Sequence, residues 1–210
     1  MSSRKKLTTG CIKLDNLVFK EPSMWVMYGP AASGKTNLLL NILKLSSTTK
    51  ILYVSTEGSL YLERVSQIEP LTSTTLFINV LSMEELLISI MKALTEYWDL
   101  LIVDSINNPF RSEVIEKRYA LVILNSILAH LRKVIMEKGI YVLLSAQVRA
   151  FEEEDEPSGL KYLRFWCDGM LRLERDRKTG LRNIYLVTNK GEIPIASFKI
   201  DKSGIRWLQC

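Results

Sequence analysis

Residues 29–36 have the sequence Gly29-Pro30-Ala31-Ala32-Ser33-Gly34-Lys35-Thr36 and fit the P-loop pattern G-x-x-x-x-G-K-[ST]. The apolar run 24–28 before this motif predicts a strand, and residues 37–43 after it have helical character. Phosphate binding requires this context, because glycines let backbone N–H groups approach the phosphates and a helix N-terminus adds its positive dipole end. The alternative, a chance match in a Gly/Ser turn, is disfavoured by this context. We therefore predict a nucleotide site, with Lys35 at the β/γ-phosphates and Thr36 as a Mg²⁺ ligand.

Apolar runs and helical patterns alternate along the chain after this motif. Buried strands are predicted at residues 51–54, 76–80, 100–104 and 140–146. Helices are predicted at residues 60–68, 83–97 and about 113–138, the last closed by Gly139. This βαβα order predicts an α/β fold with a mostly parallel central sheet flanked by helices.

The last quarter of the chain has a different pattern. Residues 148–165 are polar and predict a loop, whereas residues 169–174 and 183–187 alternate around Lys178-Thr179-Gly180 and predict a hairpin. Residues 196–200 and 205–207 predict a further strand pair. We therefore expect an antiparallel C-terminal extension at one end of the parallel sheet.

Three polar residues follow predicted parallel strands, where the ligands of such sheets bind. Asp104 ends an apolar run as a Walker B carboxylate does, and we predict that it holds Mg²⁺; capping of a loop is the alternative. Glu57 could orient the water that attacks the γ-phosphate, or be a solvated turn residue. Gln147 could sense the γ-phosphate, or cap backbone groups at the strand end.

Bulk properties point to one globular core. The chain has 210 residues, 47% hydrophobic and 24% charged, with a net charge of +5, which is weakly compatible with a polyanionic partner. Cys11, Cys167 and Cys210 are far apart and odd in number, so we expect neither a zinc site nor a disulfide framework. With no signal-peptide pattern or membrane-spanning run apparent, we expect a soluble cytoplasmic protein with no membrane partner.

Two side-chain types outside the motifs were considered as site residues. His130 is the only histidine and has no Cys or His cluster in the sequence, so we expect a structural role. Most of the four tryptophans are expected in the core, and Trp166, next to Phe165, is the best candidate for an exposed stacking residue.

Five blocks of sequence resemble, in the same order, those of the RecA/RadA recombinase superfamily. They are residues 7–17 (S-T-G-x-x-x-L-D-x-L), 53–65 (x-D-T-E-G-x-x-x-x-E-R), 100–105 (Walker B with its serine), 145–148 (T-N-Q-V) and 198–205 (the closing strand segment). The resemblance covers nearly the whole chain and is strongest to an archaeal RadA paralogue with the ATPase core alone.

The resemblance implies a single RecA-type ATPase core over residues 1–210, with 1–8 as a basic N-terminal stub. It makes Glu57 the catalytic carboxylate, Lys35 a catalytic cation and Gln147 the sensor that links ATP to DNA-binding loops at 106–116 and 148–166. Its implied cofactors are ATP and Mg²⁺, and its implied partners are single-stranded DNA and a full-length recombinase or other repair protein. The candidate DNA contacts are Arg111, Lys117, Arg118, Arg149, Lys161 and Arg164.

Several departures from the family bear on these expectations. Only a short stub precedes Thr9, so filament formation is in doubt, although assembly through the ATP site would let Lys190 act in trans. Five consecutive acids at 152–156 would repel DNA, and Ala31 and Ala32 replace residues that are often Gly, Pro or Ser. We expect a weak, DNA-modulated ATPase; the alternatives are a KaiC-like signalling ATPase and a protein-interaction subunit without a DNA role.

Overall fold

The computed structural model describes residues 6–58, 60–68, 70–109, 117–148, 159–202 and 204–210. The helices with both ends described are α1 (Ile12–Val18), α2 (Lys35–Leu45), α3 (Leu60–Ile68), α4 (Met83–Ala93), α5 (Lys117–Lys138) and α6 (Leu160–Trp166). The strands are β1 (Met24–Gly29), β2 (Lys50–Ser55), β3 (Thr74–Asn79), β4 (Leu100–Asp104), β5 (Tyr141–Gln147), β6 (Gly169–Arg175), β7 (Arg182–Thr188), β8 (Gly191–Asp201) and β9 (Gly204–Gln209).

The described strands form one sheet in the order β3-β2-β4-β5-β1-β6-β7-β8-β9. Neighbours from β3 to β6 are parallel, and those from β6 to β9 are antiparallel. This confirms the predicted fold class, a mostly parallel α/β sheet with an antiparallel C-terminal extension. Strands β2, β4, β5 and β1 are adjacent, so their carboxyl ends meet at one edge.

Helices cover both faces of the parallel part of the sheet. Side chains of β1 alternate between two buried clusters: Met24 and Val26 pack with α4, α5 and α6, and Trp25 and Met27 pack with α1 and α2. Burial on both faces explains why these strands are continuous apolar runs rather than alternating patterns.

Helix α5 is the long apolar helix of the first cluster. Its segment Tyr119–Lys138 is long and apolar enough to cross a membrane by length and composition, with a mean hydropathy of 1.4. The predicted apolar stripe is buried against the sheet, as expected for a core helix: Ala120, Ile123, Leu124, Ile127, Leu131, Val134 and Ile135.

Three elements differ from the sequence prediction. Helix α1 was not predicted; Asp15 organises its start, since its Oδ1 accepts from the Thr9 N–H at 2.7 Å. Helix α6 lies where 148–165 was predicted to be a loop, because Gly159 at φ 82° starts a short helix that buries Leu160 and Leu163. Strand β8 begins at Gly191 rather than 196, because β7 and β9 pair with it on either side.

The expectation of unpaired cysteines is wrong for two of the three. Cys11 and Cys210 form a disulfide, whereas Cys167 is a free thiol. A distance of 199 residues along the chain does not keep them apart, because β9 returns to the segment before α1. An ideal Cβ on Gly10 would lie 3.1 Å from Trp207 Nε1 in β9, so the two segments are adjacent.

Candidate nucleotide-binding site

The P-loop connects β1 to α2 in a space that excludes side chains at its glycines. A Cβ on Gly29 would lie 2.1 Å from the Leu173 carbonyl oxygen, and Gly34, the N-cap of α2, has φ 101°. Ala32 also has a positive φ, 62°, a conformation that glycine adopts with less strain. The loop is therefore fixed tightly beside β6 at the start of α2.

Lys35 is buried and folds back over the loop. Its Nζ donates to the carbonyl oxygens of Gly29 at 2.8 Å and Pro30 at 3.0 Å. The N–H groups in the first turn of α2 have no partner within the helix, so cationic and amide donors converge on the concave side of the loop. These residues fit a phosphate chain, and half-buried Thr36 lies in the same turn.

Asp104 ends β4 as a buried carboxylate, with 4% of its surface exposed. The Tyr53 hydroxyl donates to Oδ2 at 2.7 Å, and the Ser145 hydroxyl donates to Oδ1. Burial, followed by the charge of Asp104, raises the pKa of Tyr53 well above its usual value, so the phenol stays a hydrogen-bond donor. Sequence analysis missed Tyr53 and Ser145; the available signal was a hydroxyl within each otherwise apolar strand.

Glu57 and Gln147 meet across the end of β4. Gln147 donates from Nε2 to Glu57 Oε1, and the Ser105 hydroxyl donates to the same oxygen at 3.3 Å. A carboxylate from the end of β2 and an amide from the end of β5 therefore contact each other, with the residue after Asp104 joining them. The structure places the predicted site residues at one sheet edge; their chemical roles stay predictions.

Two cavities lie near these elements but differ in their relation to the site. A small cleft of about 50 Å³ adjoins α2 and is lined by Asn37, Arg64 and Gln67, with Asp201 opposite. Asn37 follows Thr36 directly, so the cleft is within reach of the sugar or base of a nucleotide. A larger cavity of about 300 Å³ lies where β2, β4 and β5 begin, at the opposite edge, and contains none of the predicted site residues.

No group of three or more His, Cys, Asp or Glu side chains in the described part of the chain could hold a metal ion. Mg²⁺ is commonly held by one or two protein oxygens together with substrate phosphates. Asp104 and Thr36 fit that arrangement, in which the nucleotide supplies the remaining ligands. His130 is exposed, with Nδ1 2.8 Å from the Ser126 carbonyl oxygen, as a helix-surface residue.

The candidate DNA contacts are only partly described. Arg111, Arg149 and the acids at 152–156 lie outside the described residues, and Lys117 and Arg118 begin α5 without described side chains. Lys161 and Arg164 are exposed on α6. Lys190, the candidate donor in trans, is exposed at the turn before β8.

The prediction of Trp166 as an exposed stacking residue is wrong. Its ring is half-buried and its Nε1 donates to Asn125 Oδ1 at 2.8 Å, because α6 turns this side chain towards α5. Phe165 is exposed instead, at 77%, and its ring meets the Trp166 ring edge-on with centroids 5.0 Å apart. The exposed face of α6 thus carries one aromatic ring between cations.

A P-loop after β1, a buried carboxylate at the end of β4 and an amide at the end of β5 define a RecA-type P-loop protein. Among known proteins, RadB of Thermococcus kodakarensis, a DNA repair and recombination protein, is 32% identical over 218 residues, covering 95% of this chain and 98% of the relative. The chain belongs to the RadB family of DNA repair and recombination proteins, within the RecA/RadA superfamily.

Other similarities agree with this assignment. RadB of Methanocaldococcus jannaschii is 26% identical over 192 residues, which is 85% of this chain and 90% of the relative. A crystal structure of the RadB recombinase superposes with a TM-score of 0.73 and 28% identity, covering 95% of this chain and 98% of that chain. No protein-family model matches the chain.

Proposed function

We propose that this chain binds ATP with Mg²⁺, hydrolyses it slowly, binds single-stranded DNA and assists or regulates homologous recombination inside the cell. Family membership supports a general role in recombination and repair. One observation carries the enzymatic part: Glu57 and Gln147 are in contact beside buried Asp104, at the sheet edge that bears the P-loop. A full-length recombinase is the proposed protein partner, which favours this account over a signalling ATPase without a DNA role.

Each residue of the site has a proposed task. Lys35 and the amides of the P-loop bind the β/γ-phosphates, and Thr36 and Asp104 hold Mg²⁺, which when bound neutralises phosphate charge. Glu57 orients the attacking water and accepts its proton. Gln147 exchanges its bond to Glu57 for one to the γ-phosphate or the water, and so distinguishes ATP from ADP.

Lys35→Ala is expected to weaken ATP binding by roughly 100-fold, because about 3 kcal/mol of charge-assisted hydrogen bonding to phosphate is lost. Titration with a fluorescent ATP analogue measures the affinity, and circular dichroism checks that the fold is retained. Lys92→Ala, at an exposed lysine on α4, is the matched control and should bind normally. Unchanged affinity in Lys35→Ala would place the nucleotide elsewhere.

The exposed face of α6 supports the DNA part of the proposal. Phe165 offers a ring face for stacking on an unpaired base, and Lys161 and Arg164 lie on the same short helix to meet the phosphates. Single-stranded DNA exposes both groups together, whereas duplex DNA hides its base faces. This face therefore favours single strands.

Phe165→Ala should lower affinity for an oligothymidylate by roughly 5- to 150-fold, because stacking on one base contributes about 1–3 kcal/mol. Fluorescence anisotropy at low salt measures the dissociation constant. Met136 on α5 is 78% exposed, so Met136→Ala removes a similarly exposed apolar side chain without a ring and serves as the control. Equal affinities for the two variants would remove α6 from the DNA interface.

A further inference from the structure

Residues 105–108, which follow β4, are hydrogen-bonded to the end of β2 on one side. The Ser105 N–H donates to Thr56 Oγ1 at 2.9 Å, and that hydroxyl donates to the Ser105 carbonyl at 2.7 Å. Asn108 Nδ2 donates to the Thr56 carbonyl at 2.6 Å. Thr56 precedes Glu57, so this segment holds the backbone that presents the proposed catalytic carboxylate.

The same segment is bonded to the end of β5 on its other side. The Ile106 N–H donates to the Ser145 carbonyl at 2.9 Å. Asn107 Nδ2 donates to the Gln147 carbonyl at 2.8 Å, and the Gln147 N–H donates to Asn107 Oδ1 at 2.9 Å. The amide of Asn107 thus pairs with the backbone of Gln147 as a neighbouring strand would, and it is 0% exposed.

This pairing gives Gln147 two mechanical connections. Its side chain contacts Glu57 at the proposed γ-phosphate site, and its main chain is held by Asn107. Two nearly parallel hydrogen bonds to one buried amide resist rotation as well as translation, so a displacement of the Gln147 backbone moves Asn107 too. Pro109 follows Asn107 and Asn108 closely and leads into the segment with the candidate DNA contact Arg111.

We propose that Asn107 is a positioning residue that couples nucleotide occupancy at Gln147 to the segment after β4. Residues 105–108 and 147–148 then respond to ATP as one unit, and the chain beyond each of them receives the same signal. This inference rests on the proposed function and adds the residue that transmits the ATP state. Only an amide side chain supplies both the donor and the acceptor that the Gln147 backbone needs.

Hydrogen exchange, measured by mass spectrometry with and without a non-hydrolysable ATP analogue, tests the coupling. In the unmodified protein, the analogue should slow exchange in peptides covering 104–109 and 145–148 alike. In Asn107→Ala, the analogue should still slow exchange at 145–148, but the effect at 104–109 should fall by about fivefold or more. Asn108→Ala, which keeps both bonds to Gln147, is the matched control and should retain the linked response.

Persistence of the linked response in Asn107→Ala would overturn the inference, as would its equal loss in Asn108→Ala. A separate titration of the analogue keeps this failure distinct from failure of the proposed function. Normal binding without a linked response contradicts the inference alone, whereas absent binding contradicts both. In a parallel assay, Asn107→Ala should reduce the ratio of ATP turnover with and without single-stranded DNA towards one, whatever its basal rate; an unchanged ratio would also count against the inference.

Discussion

Glu57→Gln should lower the rate of ATP hydrolysis by about 10²- to 10⁴-fold, the usual contribution of a positioned general base. The amide keeps the size of the side chain and can still accept hydrogen bonds from Gln147 and Ser105, so the local structure should persist. It cannot take a proton from water, however. ATP affinity is therefore expected to change by less than about threefold, since the phosphates are held by the P-loop.

The measurement is single-turnover hydrolysis at saturating ATP, combined with a binding titration. Glu21→Gln is the matched control, because it makes the same change at an exposed carboxylate before β1. A normal rate in Glu57→Gln would assign water activation to another group. A loss of binding equal to the loss of rate would show that Glu57 acts on the nucleotide rather than on the water.

Loss of the Cys11–Cys210 disulfide should lower the free energy of unfolding by up to about 5 kcal/mol. The bond closes nearly the whole chain, across 199 positions of sequence, and in the chain-entropy description a loop of that length restricts the unfolded state strongly. For a protein of this size, the expected fall in Tm is roughly 10–20 °C. Denaturant unfolding of the oxidised protein and of Cys210→Ser measures the difference.

The third cysteine provides the control for this experiment. Burial, followed by the charge of Asp168, raises the pKa of the Cys167 thiol to about 12, so at neutral pH it is protonated and reacts slowly. Cys167→Ser should leave the effect of a reductant on Tm unchanged. If reductant alters Tm by less than about 2 °C, or if all three thiols titrate in the denatured, non-reduced protein, the disulfide is absent or contributes little.

The sequence was sufficient for the features that depend on local pattern. The P-loop motif and the alternation of buried strands with helices predicted the parallel sheet, because strands buried on both faces must be apolar throughout. Parallel strands place their carboxyl ends at one edge, which is why Glu57, Asp104 and Gln147 were expected near the P-loop. The family resemblance agreed with this expectation independently.

Features that depend on contacts distant in sequence were not predictable. The partnership of Cys11 with Cys210 requires knowing that β9 returns to the start of the chain. The burial of Trp166 and exposure of Phe165 depend on the rotation of α6 against α5, which a short helix does not reveal by periodicity. The pairing of Asn107 with the backbone of Gln147 occurs after the strand signal ends, where no regular pattern indicates which side chains turn inwards.

ATP turnover with and without single-stranded DNA, at about 50 and 200 mM salt, tests the central claim most directly. Glu57→Gln serves as the blank. The account predicts stimulation by DNA at low salt and a marked decrease at the higher salt, because about three phosphate contacts would make binding roughly 20-fold weaker over that range. Turnover that is the same with and without DNA at both salt concentrations would contradict a DNA-coupled ATPase and would favour activation by a protein partner.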